Sequence, residues 1–268
     1  MAAPMRPTAA IPVLVVSGVL LAGCGGGGHV AAKTSTSSTG SAATKTTHGG
    51  GAQTTPGAAS STATAQARAF ASAVNLKASD VQSFHVSSEH QHRGAAEKRL
   101  EPELLRCVGG AGANRPVEAS AEASSQDFER GASILTESVS SQVTVARTPA
   151  LAAKGLAAIR GGHLQGCLSR YFNQLLKSQN LHGASVGPVS TKQGSPPARG
   201  ADGSFGLRFT ETLTLRGLRI PFYIDILGFV KGPAEVSLFT FGVPRPFPSA
   251  LEERLFLLLL ERAKAHKA

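Results

Sequence analysis

The chain runs to 268 residues with 27 lysines and arginines against 17 aspartates and glutamates, a net charge of +10, and has no tryptophan and only 5% aromatic residues. Sparse aromatics leave no stacking platform for single-stranded nucleic acid, so no nucleic-acid partner is expected, and the basic balance points instead to anionic surfaces such as phospholipid headgroups or wall polymers. Three cysteines cannot all pair within one chain, so one must have another use.

The first candidate for that use is Cys24. An apolar run over residues 11–22 follows Arg6, carries no charge, and closes on Leu21-Ala22-Gly23-Cys24. The run is too short to span a bilayer, which takes about 20 apolar residues. The four closing residues resemble the lipobox of bacterial lipoproteins, in which a small-residue cleavage site precedes a cysteine that receives the lipid. That resemblance implies a signal peptide over 1–23, lipidation of Cys24 by palmitate-type acyl chains, and a place on the extracytoplasmic face of the cell membrane. The competing reading is an ordinary secretory signal in which Cys24 is incidental.

From Gly25 to residue 66 the chain is Gly, Ser, Thr and Ala with hardly a large apolar side chain. Such a composition cannot bury enough surface to offset the entropy of ordering, and residues 24–66 read as a lipidated cysteine followed by a disordered tether. About 40 residues of flexible coil reach roughly 35 Å. Residues 67–268 are then long enough for one α+β domain with a substantial core.

Cys107 and Cys167 remain as an even pair in an exported protein, so a disulfide between them is expected, with two buried thiols or a catalytic cysteine as the alternatives. Strands are predicted near Phe84-His85-Val86, over 117–128 and over 133–146. Thr148-Pro149 offers a capping hydroxyl and a first-turn proline for a helical region over 148–178, which Gly161-Gly162 divides in two. Leu151, Leu156 and Ile159 make one apolar stripe, and Leu164, Cys167, Leu168, Phe172, Leu175 and Leu176 another. The stretch Gly194 to Gly203 reads as a surface loop.

Phe205, Leu207, Phe209, Leu213 and Leu215 alternate with polar residues and Gly206, and after Arg216-Gly217 the alternation resumes at Leu218, Ile220, Phe222, Ile224 and Ile226. Lys231-Gly232-Pro233 leads to a third strand on which Val236 and Leu238 face one way and Phe239 and Phe241 the other. Three strands joined by short turns predict an antiparallel meander. Residues 248–266 predict a last helix, acidic at its start (Glu252, Glu253) and basic at its end (Arg262, Lys264, Lys267), with most of the apolar run 255–260 placed under the sheet.

The order Asn75-Leu76-Lys77-Ala78-Ser79-Asp80, Phe84-His85-Val86, Cys107-Val108-Gly109-Gly110, Val143-Thr144-Val145, Cys167-Leu168, three long strands and a helix ending Arg262-Ala263 resembles the extracytoplasmic lipoprotein and sensor domains of actinobacteria. It is similar to the extracellular domain of a mycobacterial serine/threonine kinase and, more distantly, to the PsbP/Mog1-like fold. The resemblance implies an antiparallel sheet packed with helices and a binding or assembly module without catalytic residues.

Chemistry-bearing motifs are few. His85, His90 and His92, with Glu89, are the right ligand types for zinc or copper, but their spacing matches no familiar site, and a solvated strand end competes. His163 reads as a helix-start residue. The sequence contains no phosphate loop, nucleophile elbow or His-Glu-x-x-His motif, and nothing in it pairs Asp202, Glu211 or Asp225 for acid/base work. No cofactor and no catalytic residue is expected. The leading reading is a lipid-anchored, non-catalytic binding or sensor-like domain that contacts envelope proteins or wall polymer. A carrier of lipid or glycolipid and a metal-dependent hydrolase using the histidines are the alternatives.

Overall fold

The computed structural model describes residues 56–87, 99–100, 102–104, 106–107, 119–132, 135–178, 184–215 and 217–268. Cys24, Glu89, His90 and His92 lie outside the described residues. Among the described residues, nine strands form one antiparallel sheet: β1 (His85–Val86), β2 (Ala119–Ser124), β3 (Phe128–Ala132), β4 (Leu135–Ala146), β5 (Ala184–Val186), β6 (Ser190–Gly194), β7 (Gly203–Leu215), β8 (Leu218–Lys231) and β9 (Ala234–Val243). The helices are α1 (Pro56–Val74), α2 (Pro149–Arg160), α3 (Gly162–Ser178) and α4 (Ser249–Ala265). The fold is therefore α+β, as the patterning predicts.

The long strands β4, β9, β8 and β7 lie side by side in that order. Each outer flank is completed by short strands placed end to end, β2 and β3 along β4, and β5 and β6 along β7. Short edge strands present little free ladder to other chains. The predicted meander is β7–β8–β9, and its second turn needs Gly232, whose φ of 57° lies in the left-handed region.

Because side chains alternate along a strand, β8 and β9 carry apolar residues on both faces, β4 chiefly on one and β7 chiefly on the other, and both faces of the sheet require cover. On one face Val139, Val143, Phe229, Val236 and Leu238 pack with Phe70 and Val74 of α1 and Leu255, Phe256, Leu259 and Leu260 of α4. On the other, Phe205, Leu207, Phe209, Ile224, Ile226 and Phe239 pack with Leu156 and Ile159 of α2 and Leu164, Leu168, Phe172 and Leu175 of α3. Each such buried side chain stabilises the fold by about 2 kcal/mol relative to exposure. The close fit shows at Gly228, where a Cβ would lie 2.2 Å from the Phe205 ring.

Local chemistry sets the ends of these elements. Thr148 caps α2 by accepting from the Leu151 amide at 3.3 Å, and Gly161 separates α2 from α3. Arg160 donates twice to the Ser204 carbonyl, at 2.9 and 2.6 Å, fixing the end of α2 to the start of β7. Asn75 donates to the Ala123 carbonyl and accepts from the Ser141 hydroxyl, each at 2.8 Å, so the end of α1 is tied to β2 and β4. Asp80 takes both Arg262 Nη atoms at 2.7 Å, joining the turn after α1 to α4. Asp80 is subject to a desolvation cost, but its hydrogen bonds from Arg262 and the Lys77 amide outweigh it and hold the carboxyl below its ordinary range.

Three parts of the structure differ from the sequence reading. Helix α1 begins at Pro56, inside the stretch read as tether through residue 66, and its Ala67, Phe70, Ala71 and Val74 are buried at helical spacing. The strand expected over 117–128 is interrupted at Ser125–Asp127, and Phe128 starts β3. The short strands β5 and β6 occupy a stretch with no apolar alternation, and pairing with β7 holds them.

Cys107 and Cys167 are joined, with their Cα atoms 5.6 Å apart, so the expected pair is formed. The bond fastens the short helical stretch that carries Leu100 and Leu104 to α3 and closes a 60-residue separation. On the chain-entropy account, a loop of that length contributes about 4 kcal/mol. Replacing both cysteines with serine is expected to lower the unfolding free energy by about that amount in a denaturant titration; a loss under about 1 kcal/mol would contradict this role for the bond.

Candidate functional site

The even residues of β7 and the odd residues of β8 share the sheet face on which α1 and α4 pack. Register places Lys192, Arg208, Asp225 and Thr240 in one row across β6, β7, β8 and β9. Arg208 donates through Nε to Asp225 Oδ1 and through Nη2 to Oδ2 at 2.9 Å. This two-pronged geometry is the strong form of the Arg–carboxylate pair. Glu252, in the first turn of α4, completes the group: the Thr240 hydroxyl donates to its Oε1 at 2.6 Å, and its Oε2 lies 3.9 Å from Arg208 Nη2.

Burial divides the cluster into a closed floor and an open edge. The Asp225 side chain is 4% exposed and that of Arg208 42%. Hydrogen bonding to Asp225 raises the Arg208 pKa, so the guanidinium stays charged. Desolvation raises that of Glu252, with the Asp225 charge adding to it and the Thr240 and Arg208 contacts opposing it. Beside Arg208, Thr210, Thr212, Thr214 and Tyr223 are partly exposed on the same face, and Lys192 is exposed. The arrangement can hold an anionic or hydroxyl-bearing group against two cations and a row of hydroxyls. It offers no acid/base pair to a substrate, because Asp225 and Glu252 are buried and engaged, and the Thr240 hydroxyl is buried with them.

The sequence-predicted candidates fall elsewhere. His85 is exposed on β1, paired in register with Glu129. Among the described residues no group of three His, Cys, Asp or Glu side chains could hold a metal ion. His163 is an exposed second residue of α3, and Asp202 accepts from the Gly232 amide at 2.6 Å. Asp225, for which the sequence shows no partner, finds Arg208 and Glu252 only through sheet register and the placement of α4. One signal was available: Asp225 is the lone acid in a stretch, Ile224 to Val230, that is apolar on both faces.

Two further carboxyls point toward the α2–α3 side. Glu211 is 3% exposed and neither oxygen has a hydrogen-bond partner, while Glu235 lies beneath α2 near Gly155. Burial pushes Glu211 to about 7 and Glu235 to about 8. Both bind a proton more readily folded than unfolded, so the stability linked to them is full below about pH 4 and is lost as pH rises through 7 to 8. The unfolding free energy is expected to fall between pH 5 and pH 9. In the Glu211→Gln/Glu235→Gln chain that decline shrinks by on the order of 3 kcal/mol per site; identical pH profiles for the two chains would contradict the assignment.

No protein-family model matches the chain, and no curated protein matches it in sequence. Among solved structures it is similar to the extracellular domain of PknH from Mycobacterium tuberculosis, with 11% identity and a TM-score of 0.34, over 74% of this chain and 97% of that one.

Proposed function

We propose that this chain is a lipid-tethered extracytoplasmic domain that binds, without catalysis, another envelope protein or wall polymer through the β7–β8 face around Arg208. The observation that carries the reading is the row itself: a half-exposed guanidinium held in place by a buried carboxylate, beside Lys192, three threonines and Tyr223. Fixing the cation in advance lowers the ordering cost that a partner would otherwise meet. The Cys107–Cys167 bond supports a location outside the reducing cytosol, and Cys24 supports the tether.

The carrier alternative rests on the apolar alternation of the long strands and on residues 255–260. Packing accounts for most of both: the strands face α1 and α4 on one side and α2 and α3 on the other, and Leu255, Phe256, Leu259 and Leu260 are core, while Leu257 is exposed and Leu258 half-buried. Among the described residues, the cavity beside the disulfide measures about 60 Å³, against the hundreds of Å³ that a drug-sized ligand fills.

Cys24→Ser is expected to shift the chain from the membrane to the soluble fraction. A photo-crosslinking residue at Thr212 is expected to give a discrete adduct with an envelope protein or wall polymer that the same residue at Lys267 does not. Adducts common to both positions, or none from Thr212, would overturn the binding face; membrane retention of Cys24→Ser would overturn the tether.

A further inference from the structure

Between Glu137 and Asp202 the chain holds no acidic residue, and α2, α3, β5 and β6 all fall inside that interval. Lys154 and Arg160 of α2 and His163, Arg170 and Lys177 of α3 are exposed. His163, Arg170 and Lys177 recur every seven residues, which places them in one stripe along the helix, about 10.5 Å apart. Beneath them Glu211 and Glu235 have carboxyls that burial pushes toward the neutral form. The adjoining helical stretch, bonded to α3 through the disulfide, is charge-balanced in sequence, with Arg99 and Arg106 against Glu101 and Glu103, and Glu103 lines the small cavity beside Arg170.

We propose that the outer α2–α3 face docks on the anionic phospholipid surface of the membrane, and that this docking orients the domain. The charges are spread over the outer surfaces of two neighbouring helices rather than gathered around a cleft, and Ala153, Ala157 and Gly166, also exposed, keep side chains short between them. A broad positive face, free of acids along α2 and α3 themselves, complements a charged plane, and each lysine or arginine near such a surface strengthens binding about five-fold. The reading rests on the tether proposed above. From Cys24 to Pro56 the chain can extend to about 110 Å at most, enough to pass around a three-layer domain. Since α2 and α3 cover one face of the sheet and the Arg208 row lies on the other, docking turns that row away from the bilayer and toward the wall.

The test uses the chain from residue 24 onward with Cys24→Ser, so that neither leader nor lipid contributes, and vesicles of phosphatidylcholine with or without 30% phosphatidylglycerol. The expected result is binding to the anionic vesicles alone. Adding Lys154→Glu, Arg170→Glu and Lys177→Glu should weaken it at least about 100-fold. The same number of reversals elsewhere, at the exposed Arg68, Arg245 and Lys267, should change it only a few-fold. Circular dichroism melts confirm that both variants fold. Equal loss from both sets would show that net charge and not this face is responsible, and absence of binding to anionic vesicles would also overturn the proposal. Retention on isolated wall polymer without vesicle binding would do the same. Because no lipid anchor and no protein partner enter this assay, its failure leaves the Thr212 adducts and the Cys24→Ser fractionation to judge the binding-domain reading separately.

Discussion

A sheet whose central strands β8 and β9 are apolar on both faces, extended by β4 on the α1–α4 side and by β7 on the α2–α3 side, imposes one requirement on everything else: each apolar surface must be covered. Strands β4, β9, β8 and β7 cannot satisfy it with each other, because hydrogen bonding uses their edges and leaves their faces to water. Helices α1 and α4 close one side, and α2 and α3 the other. The polar ties follow from this arrangement. Asn75 with Ser141 and Asp80 with Arg262 hold the first helix pair in position, while Arg160 on Ser204 and Gln165 on Thr191, at 2.7 Å, hold the second to the sheet.

The same layering separates the charges. On the α1–α4 side the buried carboxylates have partners: Asp80 with Arg262, Asp225 with Arg208, Glu252 with Thr240. Toward the α2–α3 side, Glu211 has none. A buried carboxylate without a partner is far costlier than a protonated acid, so the group shifts its pKa instead of holding a charge. One side of the sheet thus contains fixed ion pairs beside an open row of polar side chains, and the other presents cations above carboxyls that burial pushes toward the neutral form. The two sides differ in the partners that they fit.

Elements whose stability comes from their own burial pattern were legible in the sequence. The meander, the Thr148 cap, the division at Gly161 and the terminal helix all follow from period-two or period-3.6 apolar spacing and from capping chemistry. The half-cystine pair followed from counting. Elements held by neighbours were not legible. Helix α1 begins in a stretch, 56–66, whose small residues read as tether, and the side chains that it buries, Ala67, Phe70, Ala71 and Val74, come only after it. Strands β5 and β6 have almost no apolar signal and exist as strands because β7 offers them a ladder. The Arg208 cluster joins residues from β7, β8, β9 and α4, so its members are adjacent only after register and helix placement are fixed. The mixed exposure of that row, a buried acid under a half-exposed arginine, has no counterpart in linear spacing.

If the doubly covered sheet is the cooperative core, its central strands open only when the whole domain unfolds. Native-state amide hydrogen exchange measures this most directly. The account predicts that the amides of Ile224, Ile226, Val236 and Leu238 exchange with the global unfolding free energy, and that residues of α1 and α3 lose protection in the same denaturant-induced transition. Exchange of these β8 and β9 amides through much smaller openings, or separate transitions for the two helix pairs, would contradict it.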